Sequence, residues 1–444
     1  MGVSDLALHD RLEKATVGRF HYLFLGTASL AWAFNAISVM ILSFALPSIL
    51  QEWKLPLQAG GLLATVYYVG MFIGASLFGP ISDYIGRKPA VQLTVAIYAI
   101  TTGLCAFAPD LVSMGVLRLL GGVGTGGLMP VLSTWLSEYI PKSARGKFVA
   151  VLESSWSFGA LFISALSWHV VPTYGWRAIF LVSFVATLLV PVTQRFLPES
   201  IRFLEVRQRT DEALLILRKH GFDDSPVPQE PAETKRQVLS RNPLADLWSR
   251  SLRRRTFMLW VLWFCIAYTY HGIFVWLPTI LYSEGFTLVR ALWYSMLITS
   301  LQIPGYLSAA FLIERTGRRS TLASYMALAG LASYLFGTAR NELSILLWGG
   351  LISFFNLGAW AVTYAYTPEL YPTRVRGTGA GWSGAVGRVA GILAPSLTAT
   401  AVSGLGIFPT FMVFFAAHFV AAVTVAVLGI ETKGKTLEEI SEEP

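Results

Sequence analysis

Arg388 lies in the middle of an apolar run, Trp382-Ser383-Gly384-Ala385-Val386-Gly387-Arg388-Val389-Ala390-Gly391. A guanidinium cannot shed its charge, and it grips a carboxylate through two parallel hydrogen bonds. In an apolar span it must be paired or face a polar cavity. Gly384 and Gly391 share its helical face at i−4 and i+3 and leave space beside it. The expected chemistry is binding of a small organic anion. Pairing with an internal acid is the alternative.

Aromatic residues at helical spacing supply walls for such a site. Asn356, Trp360 and Tyr364 fall at i, i+4 and i+8, and Trp263 and Tyr270 are seven apart with His271 beside them. Trp156 and Trp32 could close another side. Aromatic walls around one basic residue suit a flat aromatic or small amphipathic carboxylate. Lipid-facing or interfacial placement is the competing reading. Glu153, in Val151-Leu152-Glu153-Ser154-Ser155-Trp156, is a titratable acid near the start of an apolar run. A buried carboxyl there could take up a proton, or it could pair with Arg145 or Arg374. His271 is the second candidate proton carrier, or a hydrogen-bonded wall residue.

A third set of charges repeats. Asp83, Gly86, Arg87 and Lys88 map onto Glu314, Gly317, Arg318 and Arg319 at a constant offset of 231 residues. Glu138, Pro141, Arg145 and Gly146 map onto Glu369, Pro372, Arg376 and Gly377 at the same offset. The chain is therefore a tandem duplication. Asp83, Arg87, Glu138, Arg145 and their copies Glu314, Arg318, Glu369, Arg376 are expected to form ion pairs that gate a conformational equilibrium. Positions that match between copies are scaffold. Arg388 breaks the match, because its counterpart is Ser157.

The elements that position these residues follow from composition. The 444 residues are 54% hydrophobic and 14% charged, against roughly 25% charged in soluble domains. A bilayer span needs about 20 apolar residues. Runs of that kind lie at about 22–48, 58–80, 88–108, 111–138, 147–168, 174–193, 256–283, 289–313, 319–337, 342–368, 376–400 and 405–429. The expected fold is an all-α polytopic membrane protein of 12 transmembrane helices in two pseudo-symmetric six-helix halves. Residues 1–194 form the first bundle, 195–255 a cytoplasmic linker, and 256–444 the second bundle with its tail. Helical spacing over Arg202–Leu217 makes part of the linker helical, while the Pro- and acid-rich stretch 223–234 reads as flexible. Lys and Arg crowd the loops after even-numbered runs, which places both termini in the cytoplasm of a cell-membrane protein. The net charge of +8 sits in those loops, so nucleic acid is not expected as a partner. Cys105 and Cys265 lie inside apolar runs and imply no disulfide framework. The polar N-terminal twenty or so residues carry no cleaved signal peptide pattern.

These motifs resemble the major facilitator superfamily over the whole chain. Gly79–Lys88 looks like its loop signature, and Arg118-Leu-Leu-Gly-Gly122-Val-Gly124 its fourth-span motif. Pro198-Glu199-Ser200-Ile201-Arg202, Glu431-Thr-Lys-Gly-Lys and Pro368-Glu-Leu-Tyr-Pro-Thr-Arg-Val-Arg-Gly377 resemble motifs of its sugar-porter and organic-ion branches. Leu259–Phe264, Gly272–Pro278 and Gln302-Ile-Pro-Gly305 are similar to the niacin-permease branch, related to synaptic-vesicle-protein-like and organic ion transporters.

The resemblance implies a secondary transporter importing a small organic anion, such as nicotinate, by alternating access and with proton coupling. A facilitative sugar carrier is the alternative; a drug exporter fits less well, and a non-transporting sensor on the same fold is a further reading that an uptake assay separates. No enzyme motif, cofactor or metal site is expected; the expected partners are the anion, protons and membrane lipid, with the protein a monomer. In related carriers a basic residue at the place of Arg388 goes with anions, and residues at the places of Trp263, Tyr270 and Trp360 line the cavity. Arg118 then has a scaffold or proton-path role. The branch carries two carboxylates in the first span; Asn35 and Ser38 stand there in this chain, so Asn35 joins the candidate substrate-lining residues and coupling is expected to be weakened.

Overall fold

A computed structural model of the chain describes Leu12 and residues 15–222, 243–372 and 375–434. All regular structure in that range is helical. In order the helices are α1 (Arg19–Trp53), α2 (Leu57–Ile85), α3 (Arg87–Leu104), α4 (Leu111–Tyr139), α5 (Lys142–Tyr174), α6 (Trp176–Leu181), α7 (Leu189–Phe196), α8 (Ile201–Val206), α9 (Thr210–Lys219) and α10 (Pro243–Asp246). The second half continues with α11 (Arg253–Phe274), α12 (Leu277–Ser283), α13 (Leu288–Ser300), α14 (Gln302–Thr316), α15 (Arg318–Gly337), α16 (Glu342–Glu369), α17 (Arg376–Leu405) and α18 (Ile407–Leu428).

In lipid every backbone N–H and C=O must be bonded internally, which the helix does by itself. Among the described residues, eleven helical segments are long and apolar enough to cross a membrane. The remaining expected run, 319–337, is the 20-residue helix α15, whose Ser, Thr, Tyr and Gly residues dilute its hydropathy. It packs against α16 and α18. The protein is thus an all-helical, polytopic membrane protein. The linker begins with α8 and α9, whose Leu204 and Leu217 are fully buried in the same core as Phe24, Tyr98 and Trp135. The stretch expected to be flexible, 223–234, lies outside the described residues.

By packing, the described residues fall into two compact units: those of Met1–Val39, Val69–Ala160 and Arg177–Arg236, and those of Met40–Tyr68, Leu161–Trp176 and Gln237–Pro444. The parts of α1, α2 and α5 that fall in the second unit belong to the first sequence copy.

The duplication is visible in the helix ends. Asp110 caps α4 by accepting from Ser113 N at 2.8 Å, and Asn341 caps α16 by accepting from Ser344 N at 2.9 Å. Both are reciprocal capping boxes at the common offset. Gly86 and Gly317 precede α3 and α15 with φ of 107° and 90°. Side chains rarely adopt that conformation. A Cβ at either glycine would also run into a carboxylate, Glu199 or Glu431. Gly317→Ala is expected to cost about 1–3 kcal/mol and to lower the thermal midpoint of the purified protein. Gly404→Ala, where a Cβ meets nothing, should not lower it. Equal midpoints for the two variants would refute this account of the turn.

Candidate substrate site and gates

The candidate site is built in the second unit from α2, α11, α16 and α17. Arg388, on α17, is half-buried. Its Nη1 lies 4.0 Å from where a Cβ on Gly384 would be, in otherwise open space. Its neighbour in electrostatic reach is Tyr364 of α16. Among the described residues no Asp or Glu pairs with it.

Beside Arg388 three rings form an edge-to-face cluster. Trp263 meets Trp360 at 5.5 Å and 83°, and Tyr364 at 5.3 Å and 87°. Trp360 and Tyr364 lie 5.6 Å apart at 31°. Such pairs add stabilisation beyond burial and hold rings in fixed planes. Trp263 Nε1 donates to Thr367 Oγ1 at 3.0 Å, which locks its indole. Tyr270 packs edge-on to Trp360 at 6.2 Å from behind and is 2% exposed, whereas Tyr364 is 41% exposed. Of the residues expected to wall a site, Trp263, Tyr270, Trp360 and Tyr364 thus form one contiguous set of rings, with Tyr364 the most exposed.

Helix α17 comes close to α11 because it presents glycine. A Cβ on Gly387 would lie 2.9 Å from Trp263 Cε3, and one on Gly391 3.1 Å from His271 Cδ2. Tyr68 of α2 reaches the same level: its Oη is 2.8 Å from His271 Nδ1. One turn earlier Thr65 Oγ1 donates to the Ile392 carbonyl at 2.9 Å and lies 2.8 Å from Ser396 Oγ.

The two asparagines sit deeper. Asn356 is fully buried, with Nδ2 3.1 Å from Thr269 Oγ1 and 3.0 Å from His418 Nε2, between α11 and α18. Asn35, in the first unit, is also fully buried and donates from Nδ2 to the Thr125 carbonyl at 3.0 Å. Ser38 gives its carbonyl to Arg118 Nη1 at 2.9 Å, so this arginine ties α4 to α1. Trp32 and Trp156 stack obliquely at 5.4 Å and 49°. Glu153 faces the Trp32 indole; among the described residues it forms no ion pair, and Arg374 is not among them.

The charged residues expected from the repeat assemble as two like clusters, one in each unit. In the first, Arg87 lies 2.8 Å from Asp83 and 3.4 Å from Glu138, and donates to the Ser82 carbonyl at 3.0 Å. In the second, Arg318 lies 3.1 Å from Glu314 and 3.4 Å from Glu369, and donates to the Ile313 carbonyl at 3.3 Å. Arg145 and Arg376 donate to the carbonyls of Ile140 and Tyr371, which close α4 and α16.

Each cluster has a further member that the internal repeat does not reveal. Glu199 Oε1 accepts from the N–H groups of Arg87 and Lys88 at 2.9 and 3.2 Å. Glu431 Oε1 accepts from Arg318 N at 2.8 Å. Both carboxylates thus sit at helix N-termini, where backbone N–H groups favour negative charge. Burial nevertheless pushes the Glu199 carboxyl above the ordinary range, against the pull of those N–H bonds and of Arg87. The signal was present in the Pro198-Glu199-Ser200 and Glu431-Thr432-Lys433 stretches, but the two acids are 232 residues apart, one out of register. Among the described residues no group of three His, Cys, Asp or Glu side chains converges as a metal site would require.

Membrane-length helices with charged clusters duplicated at their ends, and an arginine within a span beside aromatic rings, fit a membrane transporter. The chain belongs to the sugar (and other) transporter family, whose model matches residues 34–443. It is 40% identical over 439 residues to the niacin transporter NiaP of Acinetobacter baylyi, covering 98% of this chain and 99% of that protein. It is 38% identical over 416 residues to the putative niacin/nicotinamide transporter of Bacillus subtilis, covering 93% and 97%. Its fold matches the xylose transporter XylE of E. coli with a TM-score of 0.76 at 17% identity, over 94% of this chain and all of that one. Family and relatives are transporters, not enzymes.

The burial of the cluster acids ranks the effects expected of them. Asp83 and Glu314 side chains are 70% and 68% exposed, Glu138 and Glu369 11% and 26%. Exposed pairs contribute about 0–1 kcal/mol. Asp83→Asn should change turnover by no more than about fivefold with little change in substrate affinity, and Glu138→Gln should change it more. Turnover and affinity measured separately in proteoliposomes check this, and the reverse order would refute it.

Proposed function

We propose that the chain imports a small aromatic carboxylate of the nicotinate class across the cell membrane by alternating access, with Arg388 holding the carboxylate. The observation that carries this reading is a permanently charged guanidinium in a span, beside open space and aromatic rings, with no acid paired to it among the described residues. A bidentate anion from outside the chain completes it. Trp360 and Tyr364 offer rings against which a flat substrate stacks. The niacin-transporting relatives supply the particular carboxylate. The Lys and Arg asymmetry supports cytoplasmic termini, with the gate clusters at the cytoplasmic ends of their spans. There the ion pairs of Arg87 and Arg318 form in one state and separate in another.

Coupling to protons rests in this reading on Glu153. It is a carboxyl within a span that faces an indole and, among the described residues, pairs with no cation, so its protonation changes the local charge outright.

Arg388→Ala is expected to weaken nicotinate uptake roughly a hundredfold while the protein still inserts. Arg388→Lys should keep part of the binding, since it retains the charge and loses the planar fork. Uptake of labelled nicotinate into proteoliposomes checks both, and undiminished affinity in Arg388→Ala would sink the anion reading. Under an imposed inward proton gradient the wild type should accumulate substrate and Glu153→Gln should only equilibrate it. Accumulation that survives in Glu153→Gln would place coupling elsewhere.

A further inference from the structure

His271 lies against Gly391, about two helical turns along α17 from Gly384, beside which the Arg388 guanidinium sits. Its ring is part-exposed, and among the described residues its one hydrogen bond is through Nδ1, to Tyr68 Oη at 2.8 Å. A phenol is a stronger hydrogen-bond acid than a neutral imidazole, so Tyr68 O–H donates and Nδ1 accepts. The ring proton of the neutral imidazole then sits on Nε2, which becomes a donor. The Tyr68 phenol is held firmly in place. It is 5% exposed, its ring lies 4.5 Å from the imidazole, and Thr65 one turn earlier ties α2 to α17.

The spacing of the two polar ends is set by α17. Arg388 Nη1 is level with Gly384, and His271 Nε2 lies 3.5 Å from the Cβ position of Gly391. Those glycines are seven residues apart, a rise of about 10 Å. Between them Gly387 backs onto Trp263, with Trp360 and Tyr364 edge-on beyond. A ring nitrogen meta to a carboxylate presents a hydrogen-bond acceptor at one end of a flat ligand and an anion at the other, as these two polar groups require.

We propose that His271 is a specificity-determining residue that donates from Nε2 to an acceptor nitrogen in the substrate ring, and that Tyr68 is the positioning residue that fixes its tautomer. The inference rests on the Arg388 reading above and narrows the substrate to heteroaromatic carboxylates. A carbocyclic analogue leaves Nε2–H unpaired, which is how a polar site rejects an isostere. This role differs from the proton-carrying one expected from the sequence.

The test is displacement of labelled nicotinate from the full-length purified protein by unlabelled nicotinate and by benzoate, which has the same shape without the ring nitrogen. The wild type should prefer nicotinate at least tenfold. His271→Ala should weaken nicotinate about tenfold and leave benzoate unchanged, so that the preference collapses. His271→Gln, whose amide N–H reaches the same place, should keep most of the preference, and Tyr68→Phe should lose part of it. Equal weakening of both ligands in His271→Ala, or a wild type that does not discriminate, overturns the proposal. Arg388→Ala separates it from the underlying reading. Loss of both ligands there, with an unaltered preference in His271→Ala, sinks only the His271 assignment. Carboxylate binding that survives Arg388→Ala sinks both.

Discussion

A charge that cannot be neutralised, placed inside a membrane span, constrains everything near it. Arg388 has neither the option of deprotonation nor, among the described residues, an acid of its own. Its surroundings must therefore leave space beside it. Glycine does this on α17: Gly384 leaves room beside the guanidinium, while Gly387 and Gly391 let Trp263 and His271 approach the same helix face. Each helical glycine costs about 1 kcal/mol relative to alanine. A helix with several of them keeps its geometry through packing. Here the neighbouring rings supply it, because Trp263 is pinned by Thr367 and then wedged by Trp360 and Tyr364.

The ion-pair clusters solve a different problem with the same economy of parts. Arg87 and Arg318 each begin a helix, so each side chain answers to an acid on the preceding helix and to one at the end of a later span, while its own N–H is taken by Glu199 or Glu431. The positive φ of Gly86 and Gly317 brings the backbone close enough for that carboxylate to dock. Two of the three acids around each arginine are at least partly buried, and the third is exposed. An arrangement of this kind is held by its buried members and adjusted by the exposed one, and such marginal balance suits a switch between two states.

Much of this was legible because the chain carries its own comparison. The fixed offset identified the acids and arginines of both clusters without any second sequence, and Arg388 stood out because Ser157 does not match it. The offset fails wherever the copies drift. Glu199 and Glu431 are one residue out of register, and their role depends on chain returning to a helix end from more than a hundred residues away. Periodicity has its own limit. A step of four residues overshoots a helical turn by about 40°, so Asn356, eight residues from Tyr364, has rotated off the face of the rings and meets Thr269 and His418. Tyr68 carried no sequence signal at all, since a tyrosine in an apolar run is unremarked until a histidine from another span is found against it.

The same geometry bears on the first-span position where the resembled transporters carry a carboxylate. Asn35 is not an idle replacement: its amide N–H is donated to the Thr125 carbonyl across α1 and α4. An ionised carboxylate has no proton to give and would set like partial charges against each other there. Its neighbour Ser38 offers a backbone carbonyl to Arg118, so this part of α1 is engaged in fastening helices. A group that must load and release a proton needs a changing environment, and a buried amide locked to a helix backbone has a constant one. Glu153, half-exposed and facing an indole with no cation paired to it among the described residues, has the freedom that Asn35 lacks. This part of α1 thus fastens helices, and an amide held in that way is not placed to take up a proton.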